Sequence, residues 1–319
     1  MGTKQKQQAS SDTIQGGDQP FDTSSSTSDG ATTFLSDLVR MTKPRIVAEL
    51  LVTTVAAMLI AARGLPAPNI VGATILGGAL CAGAAATYNG LFDRDIDRIM
   101  QRTRGRPLPS DRLNIWVVYV WGTSLLLASL LILGFGVSWL AASLAAIGFG
   151  IYVGVYTLWL KRRSTQNIVI GGAAGAIPPM VGWVAGAGSL DPAAFVLFLI
   201  IFIWTPPHFW ALALVRKHDY ARAGIPMLPV IQGDIATRRQ ILIYSAILVA
   251  TSLALAAVNQ MGWIYLSSAV VLGVIFIRHA WQLLRVATTH SAWRLYRYSI
   301  TYLTAIFAAM VVDVLVLPT

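Results

Sequence analysis

Asn89, Asp93 and Asp97 stand four residues apart in the segment Asn89-Gly-Leu-Phe-Asp-Arg-Asp-Ile-Asp-Arg98. On a helix that spacing lays the three side chains along one stripe and turns Asp95 away from it. Three carboxylates within five residues repel one another unless a cation sits among them. Hard oxygen donors of this kind suit Mg²⁺, which keeps several waters and bridges to substrate phosphates. The plainer alternative is a solvated helix end balanced by Arg94 and Arg98. The stripe begins inside a Gly/Ala-rich apolar segment, which disfavours that alternative. Asn89, Asp93 and Asp97 are therefore the candidate catalytic and metal-binding residues.

Arg102, Arg104 and Arg106 follow directly, ahead of Pro107-Leu-Pro109. Guanidinium groups match phosphate oxygens two at a time, so alternate arginines beside a carboxylate–metal site suit a diphosphate. Each arginine taken alone is equally well explained as a topology signal. Lys43, Lys161 and Arg162 end or open other apolar segments and converge on the same anion if those segments pack together. An anionic head held at the mouth of an apolar bundle, with a hydrocarbon tail among the helices, describes a prenyl diphosphate.

Nine apolar segments must position these residues, at roughly 46–63, 70–92, 115–134, 138–160, 168–187, 194–215, 240–258, 262–281 and 298–317. Each is near the ~20 residues that a membrane helix needs. Of the 319 residues 55% are hydrophobic and only 12% charged, against about 25% charged in a soluble domain. Mean hydropathy is +0.64. That composition excludes an ordinary soluble enzyme and a wholly disordered chain. It predicts an all-α, polytopic membrane bundle of nine transmembrane helices. Small residues crowd the second segment (Gly77 to Ala86) and the fifth (Gly171 to Ala176), where they let helix backbones approach closely. Cys81 has no second cysteine to pair with and reads as a small core residue.

The net charge of +10 would point to nucleic acid in a soluble protein, but here it reads as the signature of membrane insertion, with no nucleic-acid partner. Every Lys and Arg except Arg63 falls on one side of the nine-span arrangement. The N-terminus and the site are then expected in the cytoplasm and the C-terminus outside. Residues 1–33, rich in Ser, Thr, Gln, Gly and Asp, read as a disordered tail. The tail lacks Arg and contains Asp12, Asp18, Asp22 and Asp29. It therefore does not look like a mitochondrial transit peptide, and a bacterial plasma (inner) membrane is expected.

At these residues the chain resembles the intramembrane prenyltransferases, the superfamily of 4-hydroxybenzoate polyprenyltransferase, and within it the branch that farnesylates protohaem IX. The resemblance rests first on Thr42-Lys-Pro-Arg-Ile46, Asn89 to Asp97 and Arg102-Thr-Arg-Gly-Arg-Pro-Leu108. It continues through Tyr156-Thr-Leu-Trp-Leu-Lys-Arg162, Gln166-Asn-Ile168 and Gly171 to Pro179. Trp204-Thr-Pro-Pro-His-Phe-Trp210 and Asp219 to Pro229, which includes Ala-Gly-Ile-Pro-Met-Leu-Pro, point to the haem branch. The match runs in order from about residue 40 to 317. It implies one integral-membrane prenyltransferase domain over 34–319, with the helices around a central cavity. It also implies Mg²⁺, farnesyl diphosphate and protohaem IX as ligands, and haem O as product. Membrane lipid and a haem A synthase are the implied partners. Superfamily members usually carry a second Asp-x3-Asp motif after the sixth span. Here Asp219 is followed at the fourth place by Ala223, so the second motif rests on Asp219.

His208, behind Pro206-Pro207 near the basic end of the sixth segment, is an ionisable residue inside a membrane span and so a functional candidate. On the family reading it touches haem iron or a propionate; the alternative is a hydrogen-bonded structural histidine. Two rival functions follow from the same residues. A quinone-pathway prenyltransferase is disfavoured by Thr205-Pro-Pro-His208 and Ala223. A cation-coupled transporter would place its carboxylates near mid-membrane, not at one face.

Overall fold

The computed structural model describes residues 24–259 and 261–317. All regular structure among them is helical. Helix α1 spans Ser24–Met41, α2 Pro44–Ala62, α3 Pro68–Phe92 and α4 Arg94–Ile99. Next come α5 (Ile115–Gly136) and α6 (Trp139–Gly150), which runs on as a π-helix (Ile151–Trp159) and a 3₁₀ turn (Leu160–Arg162). Helices α7 (Asn167–Ala187), α8 (Pro192–Val215), α9 (Lys217–Arg222) and α10 (Leu228–Ile231) follow. The last three are α11 (Gly233–Val258), α12 (Trp263–Val286) and α13 (Thr289–Val316). Helix starts are written in the sequence. Pro44, Pro68 and Pro192 each open a helix where their missing N–H costs nothing. Asn114, Ser138 and Asp191 cap the helices that follow them.

Nine of the described helices, counting Trp139–Arg162 as one, are long and apolar enough to cross a membrane. They are the nine expected, and the chain is an integral membrane protein. Three boundaries differ by more than a turn: α12 runs on to Val286, five residues past its expected end, and two helices start early. Helix α11 begins at Gly233 and α13 at Thr289, each about two turns before the apolar segment does. Hydropathy stops at Arg238–Arg239 and at Arg297, but nothing there breaks a helix, and Thr288 with Ser291 closes a capping box at the start of α13. Of the expected tail, residues 1–23 lie outside the described residues, and residues 24–33 are helical instead of disordered. Once Phe34–Met41 are docked, each further residue adds a hydrogen bond without a new nucleation cost.

The spans close a ring. Helix α3 packs on α5 and α2 on α7; α7 packs on α8, α8 on α11 and α13, α11 on α12, α12 on α13, and α13 on α2. The α2–α7 contact is the tightest. A Cβ at Gly182 would lie 2.0 Å from the Thr54 carbonyl oxygen, and one at Gly186 would lie 2.4 Å from that of Met58. Both glycines fall beyond the small-residue run seen in sequence. Within that run, Gly171 seats the Tyr156 ring and Gly172 seats Thr205. At the end opposite the basic face, buried Asp313 of α13 accepts from Gly262 N (2.6 Å) and Tyr265 N (2.9 Å), capping α12 from another helix.

Gly182→Ala should drive α2 and α7 apart and cost about 1–3 kcal/mol. Gly175→Ala, where nothing lies within 4 Å of the added Cβ, should be neutral. The detergent-solubilised midpoint temperatures of the two variants check this; equal values would contradict the packing.

Candidate active site

Helix α3 ends at Phe92 and α4 restarts at Arg94, with Asp93 at the joint. The hydrogen-bond ladder survives the break: Asp93 N donates to Asn89 O (3.0 Å) and Asp97 N to Asp93 O (2.8 Å). The spacing of four therefore still makes a stripe. Asn89, Asp93 and Asp97 are all buried, whereas Asp95 is exposed and points away.

Three cations meet the stripe. Lys43, between α1 and α2, donates to Asn89 Oδ1 at 2.6 Å. Lys161, on the 3₁₀ turn, pairs with Asp93 Oδ2. Arg106, from the loop after α4, reaches Asp97 Oδ2 at 2.7 Å. Asn89 Nδ2 also donates to Asp93 Oδ2 (2.7 Å) and to Thr157 Oγ1 (3.2 Å). Lys43 presents some surface, but its ammonium turns inward. Desolvation first, then the nearby Arg106 and Lys161 charges, lower its pKa to about 7.

These residues fit a divalent cation. Asp93 Oδ1 is buried and has no hydrogen-bond partner, an expensive position for a carboxylate oxygen unless a ligand completes it. Among the described residues no three His, Cys, Asp or Glu side chains converge. The donors are two carboxylates and one amide, which suits an ion that takes its remaining ligands from water and phosphate.

The expected anion-binding residues divide. Lys43, Lys161 and Arg106 reach the stripe. Arg102 lines a cleft of about 400 Å³ with Gln101, Arg216, His218, Asp219 and Arg222. Arg104 is exposed and makes no ion pair among the described residues. Arg162 is occupied elsewhere: its two Nη atoms grip Asp95 at 2.7 Å each, and Nη2 also donates to Phe92 O at 2.8 Å. It clamps the end of α3 to the 3₁₀ turn, because an exposed carboxylate one turn past the helix end attracts it first. That pairing holds the Asp95 carboxyl below its usual range. Asp219 pairs with Arg222 (2.8 Å). Tyr220, whose pKa burial raises, packs with Tyr156 against the cluster that contains Ile96, Met100 and Ile168.

Sequence reasoning missed the π-helix. Its Tyr152 and Tyr156 stack with centroids 5.6 Å apart. The aromatic spacing was visible, but no residue in Ile151–Trp159 announces a π-helix.

His208 faces α13. Its ring stacks on Trp204 (4.3 Å) and Tyr296 (4.7 Å), and Nδ1 lies 2.7 Å from Ser299 Oγ. Ser299 also bonds the Tyr296 carbonyl at 2.7 Å. A carbonyl only accepts, so the single hydroxyl proton goes there and His208 Nδ1 must be the donor to Ser299. The lone pair is left on Nε2.

A family model, described as the UbiA prenyltransferase family, matches residues 50–307. The chain belongs to that family. Two curated relatives are named protoheme IX farnesyltransferase. The one from Chloroflexus aurantiacus is 51% identical over 89% of this chain, and the one from Gloeobacter violaceus is 50% identical over 88%. This chain spans about half (49%) of the length of the first and 92% of the second. The fold is that of a digeranylgeranylglyceryl phosphate synthase (TM-score 0.77, 17% identity, 89% of this chain and 99% of that one). It is also that of a UbiA homologue from Archaeoglobus fulgidus bound to DMAPP and Mg²⁺ (TM-score 0.58, 16% identity, 86% and 99%).

Asp95→Asn and Arg162→Ala should each slow prenyl transfer about three- to tenfold, and the double variant should be no worse than the poorer single one, as two halves of one contact. Turnover measured in membranes for the four members of the cycle decides it. Additive losses would return Arg162 to a separate role.

Proposed function

We propose that the chain transfers the farnesyl group of farnesyl diphosphate to a vinyl group of protohaem IX, with addition of water, giving haem O and diphosphate. One observation carries this reading. A buried Asn–Asp–Asp stripe ringed by Lys43, Lys161 and Arg106 lies at one end of an apolar bundle whose relatives, at about half identity, bear that activity's name.

Asn89, Asp93 and Asp97 would hold Mg²⁺, which when bound supplies charge to the leaving diphosphate. Lys43, Lys161 and Arg106 bind the outer phosphate oxygens, and Arg102 closes the head group from the Asp219 cleft. As the allylic C–O bond breaks heterolytically, the negative charge gathers on oxygens that these cations already face. Tyr152 and Tyr156 offer π faces beside the electron-poor carbon. The vinyl group attacks C1 of the farnesyl chain, and water captures the resulting cation with loss of a proton. Apolar walls keep other water away until then. His208, with its proton fixed on Nδ1, offers Nε2 to the haem iron; a second bond of this kind typically orients a metal-binding histidine.

The distribution of positive charge supports a cytoplasmic site, with the N-terminus on that side and the C-terminus outside, in a bacterial plasma membrane. Haem A synthase would consume the product as a partner enzyme.

Mass spectrometry of the product from haem B, farnesyl diphosphate and Mg²⁺ tests the reading: the mass of hydroxyethylfarnesyl haem is expected, and unchanged haem would refute it. Asp93→Asn and Asp97→Asn should each lower turnover on the order of 10³-fold, about 4 kcal/mol of transition-state stabilisation at ~1.4 kcal/mol per decade. Asp95→Asn should lose far less. Similar mild losses at all three would mean a solvated helix end. His208→Ala should purify with less haem while binding farnesyl diphosphate normally; full haem content would make the histidine structural.

A further inference from the structure

Asn89 is an amide, so its orientation decides whether it presents an oxygen or an NH₂ to the site. It has three partners. Lys43 donates to its Oδ1 at 2.6 Å, and its Nδ2 donates to Asp93 Oδ2 at 2.7 Å and to Thr157 Oγ1 at 3.2 Å. Lys43 and Asp93 are charged groups that a metal and a diphosphate would recruit for themselves. Thr157 is neutral and fully enclosed, 1% exposed.

The Thr157 hydroxyl has one proton, and the Tyr152 carbonyl claims it at 2.8 Å. Toward Asn89 the Thr157 oxygen can therefore only accept. It faces NH₂ and would be left with two opposed lone pairs if the amide turned over. This arrangement depends on the π-helix. A threonine in an α-helix bonds back to the carbonyl four residues earlier, here Val153. In Ile151–Trp159, bonded from i to i+5, the partner is Tyr152, five residues back. Thr157 thereby meets Asn89 of α3, while the neighbouring Tyr156 ring seats against Gly171 of α7.

We infer that Thr157 is a positioning residue that locks the Asn89 amide with Oδ1 toward the metal and diphosphate, and that the π-helical stretch of the fourth span exists to carry it there. The inference rests on the proposed metal–diphosphate site and deepens it. Thr157 touches no reacting atom; it acts through Asn89.

The test is Mn²⁺ binding, followed by electron paramagnetic resonance, to the full chain in detergent with inorganic diphosphate present. Thr157→Val keeps the shape and removes the acceptor. It should weaken Mn²⁺ binding about five- to tenfold, the size of one lost buried hydrogen bond, with an unchanged midpoint of thermal unfolding. Thr157→Ser should restore binding. Asn89→Ala is the reference and should weaken binding at least as much. If Asn89→Ala binds Mn²⁺ normally, the metal-site reading fails. If Asn89→Ala binds weakly while Thr157→Val binds like the unaltered chain, the positioning role is overturned. Loss in Thr157→Val that Thr157→Ser does not restore would also overturn it.

Discussion

Two carboxylates buried at the rim of an apolar bundle are the constraint on which the rest of this structure depends. Asp93 and Asp97 are 1% and 3% exposed. Taking a carboxylate out of water costs several kcal/mol unless partners compensate it. Lys161 compensates Asp93 and Arg106 compensates Asp97. Each partner comes from a different part of the chain, so closing these pairs also fixes the 3₁₀ turn after the fourth span and the loop after α4. Asp93 Oδ1 stays buried without a hydrogen-bond partner, which is the position the proposed metal ion would complete.

The same cluster shows how a membrane helix ends in a group of buried charges. Helix α3 is among the more buried spans, with small residues over its last turns, and Asn89 enters the protein interior where lipid would not tolerate it. The break at Asp93 lets α4 turn away while the ladder of four-residue bonds continues, so the stripe crosses from the buried region to the interface without losing register. Loop residues complete it. Arg94 and Arg98 hold Asp111, Arg98 holds Pro109 O, and Arg112 holds Asp37 of α1. These ties keep the Arg106 segment folded down over the carboxylates.

Much of this was legible in the residues. Nine apolar runs, the four-residue spacing from Asn89 to Asp97, and the crowding of Lys and Arg on one side follow from hydropathy and helix periodicity, and those rules hold locally. What stayed hidden was tertiary. Arg162 and Lys161 are adjacent and look equivalent, yet Arg162 goes to Asp95 and Lys161 to Asp93, because neighbours on a 3₁₀ turn point about a third of a turn apart. The π-helix has no composition of its own; it emerges where Tyr156 must fit against Gly171 while Thr157 meets Asn89. Asp313, near the outer end of the ninth apolar segment by sequence, caps a neighbouring helix.

The central claim is that the Asn89–Asp93–Asp97 stripe seats a divalent ion against a diphosphate. Anomalous diffraction from crystals grown with Mn²⁺ and a non-hydrolysable farnesyl thiodiphosphate tests it most directly. The account predicts a peak at the roughly 2.0–2.2 Å expected of a small oxygen-bound divalent ion from Asp93 and Asp97, with Lys43 and Lys161 turned onto the phosphates. A diphosphate bound with no anomalous peak on the stripe, or a peak confined to the Asp219 cleft, would contradict it.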